Sequence, residues 1–224
     1  MIGLSIAKFY SALGYSVVVL EKESRAGEGI SSRNSGVIHG GIYYPANSLK
    51  TKFCIEGNKM LYKYAKLKNI SHQKLGKYII ASQDSDLGKL DKIYEQGISN
   101  GAIIKRCSKD EMQAEYPDLI LTGGIYSSET GIIDVPELIS ALEVDIQRNS
   151  GTVAFNTSFK SATKADNLFE IVCDDGNEFV VQAKNLVNAA GLTSDISSKN
   201  IKQLDKKYNH PIYFAKGHYF KYSG

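Results

Sequence analysis

The chain has 224 residues, of which 42% are hydrophobic and 23% are charged, and its formal net charge is +3. This length and composition predict a soluble globular protein with one sizeable core or two small ones. The sequence has no block of five basic residues and no apolar run near the roughly 18 residues of a membrane span, which argues against nucleic-acid partners and a transmembrane segment.

Residues 1–21 predict a helix followed by a strand. From Gly3, apolar residues recur at helical spacing as far as Leu13, and an apolar run at 17–20 ends at Glu21. Gly3 and Glu21 have the spacing of the third glycine of a G-x-G-x-x-G turn and of the carboxylate, roughly 20 residues later, that binds a ribose hydroxyl. The first two glycines and the first strand would precede Met1. An ordinary amphipathic helix and strand is the alternative for this stretch taken alone.

Residues 24–41 form a loop rich in Gly and Ser, which we expect to wrap a ligand. Residues 48–67 then predict an amphipathic helix with Ser48 as its N-cap and with apolar positions at Leu49, Phe53, Met60, Leu61 and Tyr64.

Helices and strands alternate through the middle of the chain. Strands are predicted at 77–81, 125–127 and 131–133, and helices at 84–100, 108–116 and 136–149. Further short strands are predicted at 153–155, 159–162, 169–173, 179–182 and 186–188, followed by a small-residue turn at 189–191 and a polar helix to about Lys199. A strand that ends in a small-residue turn is a place where backbone approaches a ligand at the carboxyl end of a parallel sheet.

Cys54, Cys107 and Cys173 are odd in number and widely spaced, and no C-x-x-C pair occurs. This argues against a disulfide framework and against a metal site. We therefore predict no bound metal and a cytoplasmic location, free or peripheral to the inner membrane.

The segment 31–45, SSRNSGVIHGGIYYP, resembles the flavin-contacting loop of the FAD-dependent oxidoreductases of the D-amino-acid-oxidase-like superfamily. Within that superfamily it most resembles the L-2-hydroxyglutarate dehydrogenase/oxidase family. The stretch from Gly3 to Glu21, the TGIID turn at 130–134 and the NAAG turn at 188–191 fit the same family, so the resemblance covers nearly the whole chain. Because members of the family are longer, the chain looks truncated at both ends.

The resemblance implies an α/β fold in which a Rossmann-like FAD-binding domain, with its first strand missing, is interleaved with a smaller α+β substrate domain. We expect residues 1–75 and 150–208 to form the FAD-binding part. Residues 76–149 and 209–224 would form the substrate-side part, which is incomplete.

FAD is the cofactor that the resemblance implies. Glycines and serines expose backbone N–H groups to the pyrophosphate, and Arg33 would add a charge-assisted hydrogen bond to the same anion. Glu21 would bind the adenosine ribose and would repel the 2′-phosphate of NADP. Phe159 is placed like the residue whose backbone meets adenine, where the family commonly has a smaller aliphatic side chain. The implied FAD-binding residues are Gly3, Glu21, Ser31, Ser32, Arg33, Asn34, Ser35, Gly36, Phe159, Ala189, Ala190 and Gly191.

His39 would lie beside the isoalloxazine ring by the same resemblance. Oxidation of a hydroxy acid needs a group that accepts the hydroxyl proton while hydride leaves for the flavin, and imidazole has a suitable pKa. We predict that His39 is this catalytic base; a structural histidine that bonds the loop or the flavin edge is the alternative. His72 and His210 are expected in surface or packing roles, and His218 is a second, weaker candidate.

The implied reaction is hydride transfer from L-2-hydroxyglutarate to flavin, which yields 2-oxoglutarate. A dicarboxylate needs cationic or hydroxyl partners at both ends, and the sequence offers Tyr43, Tyr44, Lys50 and Lys216. Two alternatives stay open: an inactive remnant of such an enzyme, and a flavoenzyme of the same superfamily that acts on an amino acid or on glycerol 3-phosphate. The sequence identifies neither an electron acceptor nor a complementary chain.

Overall fold

The computed structural model describes residues 1–218. The α-helices of this range are α1 (Ile2–Ala12), α2 (Leu49–Lys68), α3 (Leu87–Ser99), α4 (Lys109–Glu115), α5 (Val135–Arg148) and α6 (Ser194–Lys199). The strands are β1 (Val18–Leu20), β2 (Val37–Ile38), β3 (His72–Gln73), β4 (Lys77–Ala81), β5 (Ile104–Cys107), β6 (Gly123–Ser127), β7 (Gly131–Ile133), β8 (Thr152–Ala154), β9 (Ser158–Ala165), β10 (Leu168–Asp174), β11 (Glu178–Ala183) and β12 (Ile201–Lys202).

The chain divides into two compact units, and their boundaries differ from those expected from the sequence. Unit 1 comprises residues 1–33 and 139–224, and unit 2 comprises residues 34–138. Strand pairing explains the difference, because β2 and β3 both pair with β7 and so tie residues 34–75 to unit 2. Residues 209–218 of the expected substrate-side segment 209–224 belong to unit 1, and residues 219–224 lie outside the described range.

Unit 1 begins with the predicted helix and strand. Helix α1 buries Leu4, Ala7 and Ser11, which lie on one face at helical spacing. The chain then turns at Gly14, which has a φ of +83° that favours glycine, and β1 pairs in parallel with β8. The sequence predicted β1 as a buried strand, but Val18 is 53% exposed. The reason is that β8 is the one strand that pairs with β1 within residues 1–218.

The rest of unit 1 contains a four-stranded sheet in the order β11-β10-β9-β12. Strands β9, β10 and β11 are antiparallel neighbours, whereas β12 runs parallel to β9. Ala162, Ile171 and Cys173 form the buried cluster of this sheet. The predicted strand at 186–188 is wrong, because no strand of the described range pairs with these residues to form a ladder.

Unit 2 is built on two antiparallel three-stranded sheets, β2-β7-β3 and β4-β6-β5. Helix α3 contacts all three strands of the second sheet, and Ala81, Leu90 and Ile125 form a buried cluster. Helix α4 starts at a capping box in which Ser108 accepts from the N–H of Glu111 while the Glu111 carboxylate accepts from the N–H of Ser108. Helix α4 and strand β4 confirm the predicted helix at 108–116 and strand at 77–81.

Helix α2 forms as predicted, with Ser48 as its N-cap, but it packs on a different face from the one its apolar residues indicate. Leu49, Phe53 and Met60 are 61–70% exposed, whereas Thr51, Asn58 and Ala65 are buried. Polar side chains on the buried face are satisfied by backbone carbonyls, so hydrogen bonding decides which face turns inward. Within residues 1–218, no helix combines the length and apolarity that crossing a bilayer requires.

Candidate functional site

In unit 1 the start of α1 lies against the small-residue turn at 189–191. A Cβ added to Gly3 would lie 3.3 Å from the Cβ of Ala189, which is a tighter separation than ordinary side-chain contacts. Gly3 thus permits the close packing that the third glycine of a dinucleotide-binding turn provides. Two residues predicted to bind the cofactor are in contact, although 186 residues separate them along the chain.

The turn at 189–191 is shaped by Asn188. Its Nδ2 donates to the Ser194 carbonyl at 2.7 Å and to Ser198 Oγ at 2.9 Å, while its Oδ1 accepts from the N–H of Ala190 at 3.2 Å. Gly191 has a φ of +58°, in the left-handed region. Asn188 belongs to the NAAG turn, but the sequence did not identify it as the residue that organises the turn. Its side chain fixes the small residues that a ligand would approach.

Residues 31–33 form a second turn in the same unit. Ile30–Ser32 is a 3-10 turn, and a Cβ on Gly191 would lie 3.7 Å from the Ile30 Cγ2 atom. Ser31 Oγ lies 3.4 Å from the Met1 nitrogen, at the start of α1. Arg33 is exposed, and within residues 1–218 its guanidinium has a hydrogen bond to Ser32 Oγ and no carboxylate partner. An unpaired guanidinium is suited to an anion.

Glu21 lies directly after β1. Its backbone N–H donates to the Ala154 carbonyl, its carbonyl accepts from Thr157, and its Oε1 accepts from the N–H of Glu23 at 3.1 Å. Its Oε2 makes no hydrogen bond within the described range. Burial lowers the pKa of the Met1 amino group and the Glu21 carboxylate raises it, so this carboxylate is close to the start of α1. A fixed carboxylate with one free oxygen is the arrangement that binds a ribose diol.

These features together fit a dinucleotide. Gly3, Glu21, Ser31 and the turn at 189–191 converge around the start of α1 within unit 1. Phe159, by contrast, packs against the buried cluster of the β9–β10 sheet, and its side chain contributes to the core there. Its predicted backbone contact with adenine stays a prediction.

The next predicted residues, Asn34, Ser35 and Gly36, belong to unit 2 and lead into β2. Asn34 Oδ1 accepts from the N–H of Gly36 at 2.7 Å, which closes an Asx turn. Gly36 has a φ of +65°, and a Cβ there would lie 2.9 Å from the Ile133 carbonyl oxygen. The Gly36 carbonyl accepts from the Ile133 N–H at 2.9 Å, so the TGIID turn and the SSRNSG segment meet in the structure.

His39 directly follows β2 in unit 2, and its backbone is held by helix α2. The buried side chain of Asn58 donates from Nδ2 to the His39 carbonyl at 3.0 Å and to the Glu129 carbonyl at 2.8 Å. Cys54 Sγ also lies 3.6 Å from the His39 carbonyl. The imidazole itself is free to act, because these contacts use only the backbone of His39.

A second asparagine holds the residues that follow. Asn100, at the end of α3, donates from Nδ2 to the carbonyls of Gly41 at 3.0 Å and Tyr44 at 2.8 Å. Gly41 has a φ of +78°, and a Cβ there would collide with the side chain of Ile55. The loop from His39 to Tyr44 is therefore preorganised by amide side chains from α2 and α3.

Lys77, Tyr43 and Tyr44 line the same concavity as His39, and the charge of Lys50 also acts on His39. Lys77 Nζ lies 4.5 Å from the centre of the Tyr43 ring, and Lys50 Nζ lies 4.3 Å from the centre of the Tyr44 ring. His39 is exposed as a whole, yet partial burial of its imidazole lowers its pKa, and the charges of Lys77 and Lys50 lower it further. A lowered pKa favours the neutral imidazole, which is the form that accepts a proton.

The other candidate residues have different environments. His72 Nδ1 lies 2.6 Å from the Ile70 carbonyl, which is a packing role, and His210, Lys216 and His218 are exposed. Sequence reasoning missed Lys77, Asn58 and Asn100, because an isolated Lys or Asn carries no local signal of its long-range partner. No three metal-binding side chains cluster anywhere in the described range.

A separate open cleft in unit 2 has a volume of about 410 Å³ and is lined by Asn58, Lys59, Tyr62, Lys63, Lys66, His72, Lys74 and Glu129. None of the predicted site residues lines this cleft. His39, Tyr43, Tyr44 and Lys77 instead line a narrow concavity that has no room for a water molecule.

Comparison with protein families and curated proteins gives consistent matches. The family model described as DAO, FAD dependent oxidoreductase, matches residues 1–224. The mitochondrial L-2-hydroxyglutarate dehydrogenase of Arabidopsis thaliana is 31% identical over 253 residues, which covers 100% of this chain and 52% of that protein. The human mitochondrial L-2-hydroxyglutarate dehydrogenase is 32% identical over 190 residues, which covers 80% of this chain and 41% of that protein. The chain spans about half the length of the curated relatives it matches.

Solved structures resemble the fold. The dithionite-reduced L-alpha-glycerophosphate oxidase from Mycoplasma pneumoniae with FAD bound superposes with a TM-score of 0.80 at 24% identity, covering 89% of this chain and 55% of that one. Glycine oxidase from Geobacillus kaustophilus superposes with a TM-score of 0.78 at 18% identity, with the same coverage. At these identities the likeness establishes the fold alone.

Proposed function

This chain belongs to the DAO family of FAD-dependent oxidoreductases, and on that premise we propose that it acts in the oxidation of a 2-hydroxy acid, L-2-hydroxyglutarate, to 2-oxoglutarate. The observation that carries the proposal is the 31% identity to an L-2-hydroxyglutarate dehydrogenase over the full length of the chain. The chain corresponds to about half the length of that relative.

FAD is the cofactor of the family, as the sequence predicted, and when bound it accepts the hydride that leaves the substrate carbon. We propose that Glu21 binds the adenosine ribose through its free Oε2 and that Arg33 binds the pyrophosphate. Backbone groups of the turn at 189–191 would approach the same cofactor, since Asn188 holds that turn in place.

His39 would accept the proton of the substrate hydroxyl. Its pKa is lowered by partial burial and by Lys77 and Lys50, so at neutral pH its imidazole has a free nitrogen lone pair. Asn58 holds the His39 backbone through its carbonyl and leaves the ring unoccupied. These features support a general base more than a purely structural histidine.

The test is a direct flavin assay on the purified chain. We expect the chain to bind FAD, to be yellow, and to lose its flavin colour under anaerobic L-2-hydroxyglutarate but not under the D-enantiomer. A colourless chain that cannot be reconstituted with FAD would contradict the proposal. Bleaching by an amino acid or by glycerol 3-phosphate instead would establish a different substrate.

A further inference from the structure

We propose that the open cleft beside helix α2 in unit 2 binds an anion with two or more phosphate groups, which Lys63 and Lys66 hold. The cleft is separate from the proposed function, because its lining includes neither His39 nor any residue assigned to FAD. Two sources share this chemistry: a soluble phosphate compound and the phosphate-bearing headgroups of a lipid surface.

The cleft has room for such a ligand. Its volume of about 410 Å³ lies within the range of roughly 300–1,000 Å³ that is typical of small-molecule sites. Residues of the second half of α2 line one part of it. His72 of β3, Lys74 and Glu129, which lies in the turn between β6 and β7, line the rest.

The segments that line the cleft are fixed relative to one another. The Tyr62 hydroxyl donates to the Glu129 carbonyl at 3.2 Å, and the buried Asn58 donates to the same carbonyl at 2.8 Å. A Cβ on Gly131 would lie 2.2 Å from Tyr62 Oη and 2.2 Å from the Gln73 carbonyl oxygen, so α2 packs closely on the β3–β7 pair. The cleft is therefore formed before a ligand arrives.

Uncompensated positive charge lies along the α2 side of the cleft. Lys63 and Lys66 are three residues apart on the helix, so they are neighbours on its surface. Both are exposed, and neither forms an ion pair with a carboxylate of residues 1–218. Glu129 is the one carboxylate among the lining residues of the described range, and it is already paired with Lys74 at 2.7 Å. The charges of Lys63 and Lys66 are thus left for a ligand.

The kind of cation in the cleft favours phosphate over carboxylate. Lysine binds phosphate as a point charge, whereas the forked guanidinium of arginine matches the two oxygens of a carboxylate. No arginine of the described range lines the cleft. Two neighbouring ammonium groups suit successive phosphate groups of one anion, because each phosphate then has its own cation.

The binding probe is inorganic triphosphate, and the full chain is kept in excess FAD so that the proposed pyrophosphate site in unit 1 is occupied. Calorimetry at low ionic strength measures the Kd, since salt screens exposed charges. The cleft variant is Lys63→Gln with Lys66→Gln. The matched control is Lys52→Gln with Lys92→Gln, which changes the net charge equally by removing two exposed lysines that do not line the cleft.

We expect the cleft variant to weaken triphosphate binding by roughly 10- to 100-fold, the effect of losing charge-assisted hydrogen bonds, and the control to match the original chain. Glu129→Gln should act in the opposite direction and tighten binding, because it releases Lys74 from its ion pair. Equal triphosphate affinity in the original chain and in the cleft variant would overturn the inference. A loss of the same size for glutarate, a dicarboxylate, would overturn the assignment to phosphate.

A second measurement distinguishes the two sources of phosphate. Cosedimentation with phosphatidylglycerol vesicles, compared with phosphatidylcholine vesicles, measures binding to an anionic lipid surface. Triphosphate binding that depends on Lys63 and Lys66 supports the site with a soluble ligand. Binding to phosphatidylglycerol alone, with the same dependence, supports the site with a lipid headgroup as its ligand. If neither probe binds through these lysines, the inference is wrong.

Failure of this inference is distinguishable from failure of the proposed function. If triphosphate binds through Lys63 and Lys66 but L-2-hydroxyglutarate does not reduce the flavin, the proposed function is wrong and the phosphate site stands. If reduction proceeds and the cleft variant binds both probes as the original chain does, the function stands and the inference is wrong. Thermal unfolding of each variant shows whether a lost affinity comes from lost structure.

Discussion

The backbone carbonyl of His39 is held by Asn58 and Cys54, whereas its imidazole makes no hydrogen bond within residues 1–218. A substitution of this side chain therefore tests its role without removing the backbone contacts. We expect His39→Gln to slow flavin reduction by roughly 10²- to 10⁴-fold, the usual contribution of a general base. FAD content should stay the same, because the residues that we propose bind the ribose and the pyrophosphate are Glu21 and Arg33. Stopped-flow reduction under anaerobic conditions measures the effect. An unchanged rate would mean that His39 is structural.

The lowered pKa of His39 gives a pH dependence with a definite sign. Protonated imidazole cannot accept the hydroxyl proton, so kcat/KM should be level near neutral pH and should fall as the pH drops through the lowered pKa. Lys77→Met removes one of the charges that depress this pKa, so the acid limb of the profile should move to higher pH. A profile that does not respond to Lys77→Met would contradict the electrostatic coupling.

The substitution Glu21→Gln tests whether the free carboxylate oxygen of Glu21 binds FAD. In Glu21→Gln the free Oε2 becomes an amide, which loses the charge-assisted bond to a ribose hydroxyl. We expect FAD affinity to fall by roughly 10- to 100-fold, measured by quenching of flavin fluorescence on binding. The control is Glu23→Gln, a neighbouring carboxylate that pairs with Lys22 at 3.3 Å. Equal losses in both variants would argue against a specific role for Glu21.

At the scale of elements, α2 contributes to the site through Asn58. Asn58→Leu would remove this donor from the His39 and Glu129 carbonyls, of which the second still accepts from the Tyr62 hydroxyl at 3.2 Å. Each lost hydrogen bond costs about 1 kcal/mol. We expect a lower free energy of unfolding in urea together with slower flavin reduction. Lys59→Ala, an exposed position on the same helix, should change neither quantity by much.

The substitution Gly3→Ala tests whether FAD binding needs the close packing of α1 against the turn at 189–191. In Gly3→Ala the new Cβ meets Ala189 at 3.3 Å, so α1 or the turn at 189–191 must shift, and FAD affinity should fall. Gly57→Ala is the matched control, because a Cβ there meets nothing within 4 Å and lies inside α2. That control should stabilise the protein by up to about 1 kcal/mol. Equilibrium FAD binding and urea unfolding distinguish the two variants.

Elements with strong local signals could be predicted from the sequence. Ser48 marked the start of α2, where its Oγ accepts from the N–H of Thr51 at 3.1 Å. The burial of α2 could not be predicted, because the partners of Asn58 are 19 and 71 residues away. The short strands β2 and β3 were missed for the same reason, since their ladders depend on the distant β7.

At the scale of the whole molecule, FAD should act as a folding ligand. A ligand that binds only the folded state at 100 times its Kd adds about 2.7 kcal/mol to the free energy of unfolding. We expect FAD to raise the Tm by several degrees in a thermal-shift assay and NADP to raise it little, because Glu21 would repel the 2′-phosphate. Equal shifts with both nucleotides would contradict the assigned role of Glu21.

The division into units could be predicted only in part. The sequence indicated two interleaved regions of different architecture, but it placed residues 34–75 with the nucleotide-binding part. Strand pairing with β7 assigns them to unit 2, and such antiparallel pairing between segments about 60 and 95 residues apart has no local signature. Which residues belong to the same unit depends on the strand pairing of the folded chain.

Within residues 1–218, β1 pairs with β8 alone, and this has a consequence for handling the protein. A strand that is hydrogen-bonded along one edge leaves N–H and C=O groups on its other edge free to pair with a strand of another molecule. Val18, which is 53% exposed, adds apolar surface at the same strand. Preparations of this polypeptide should therefore self-associate as concentration rises. A short β-forming peptide added to the solution should pair with this free strand edge and prevent self-association.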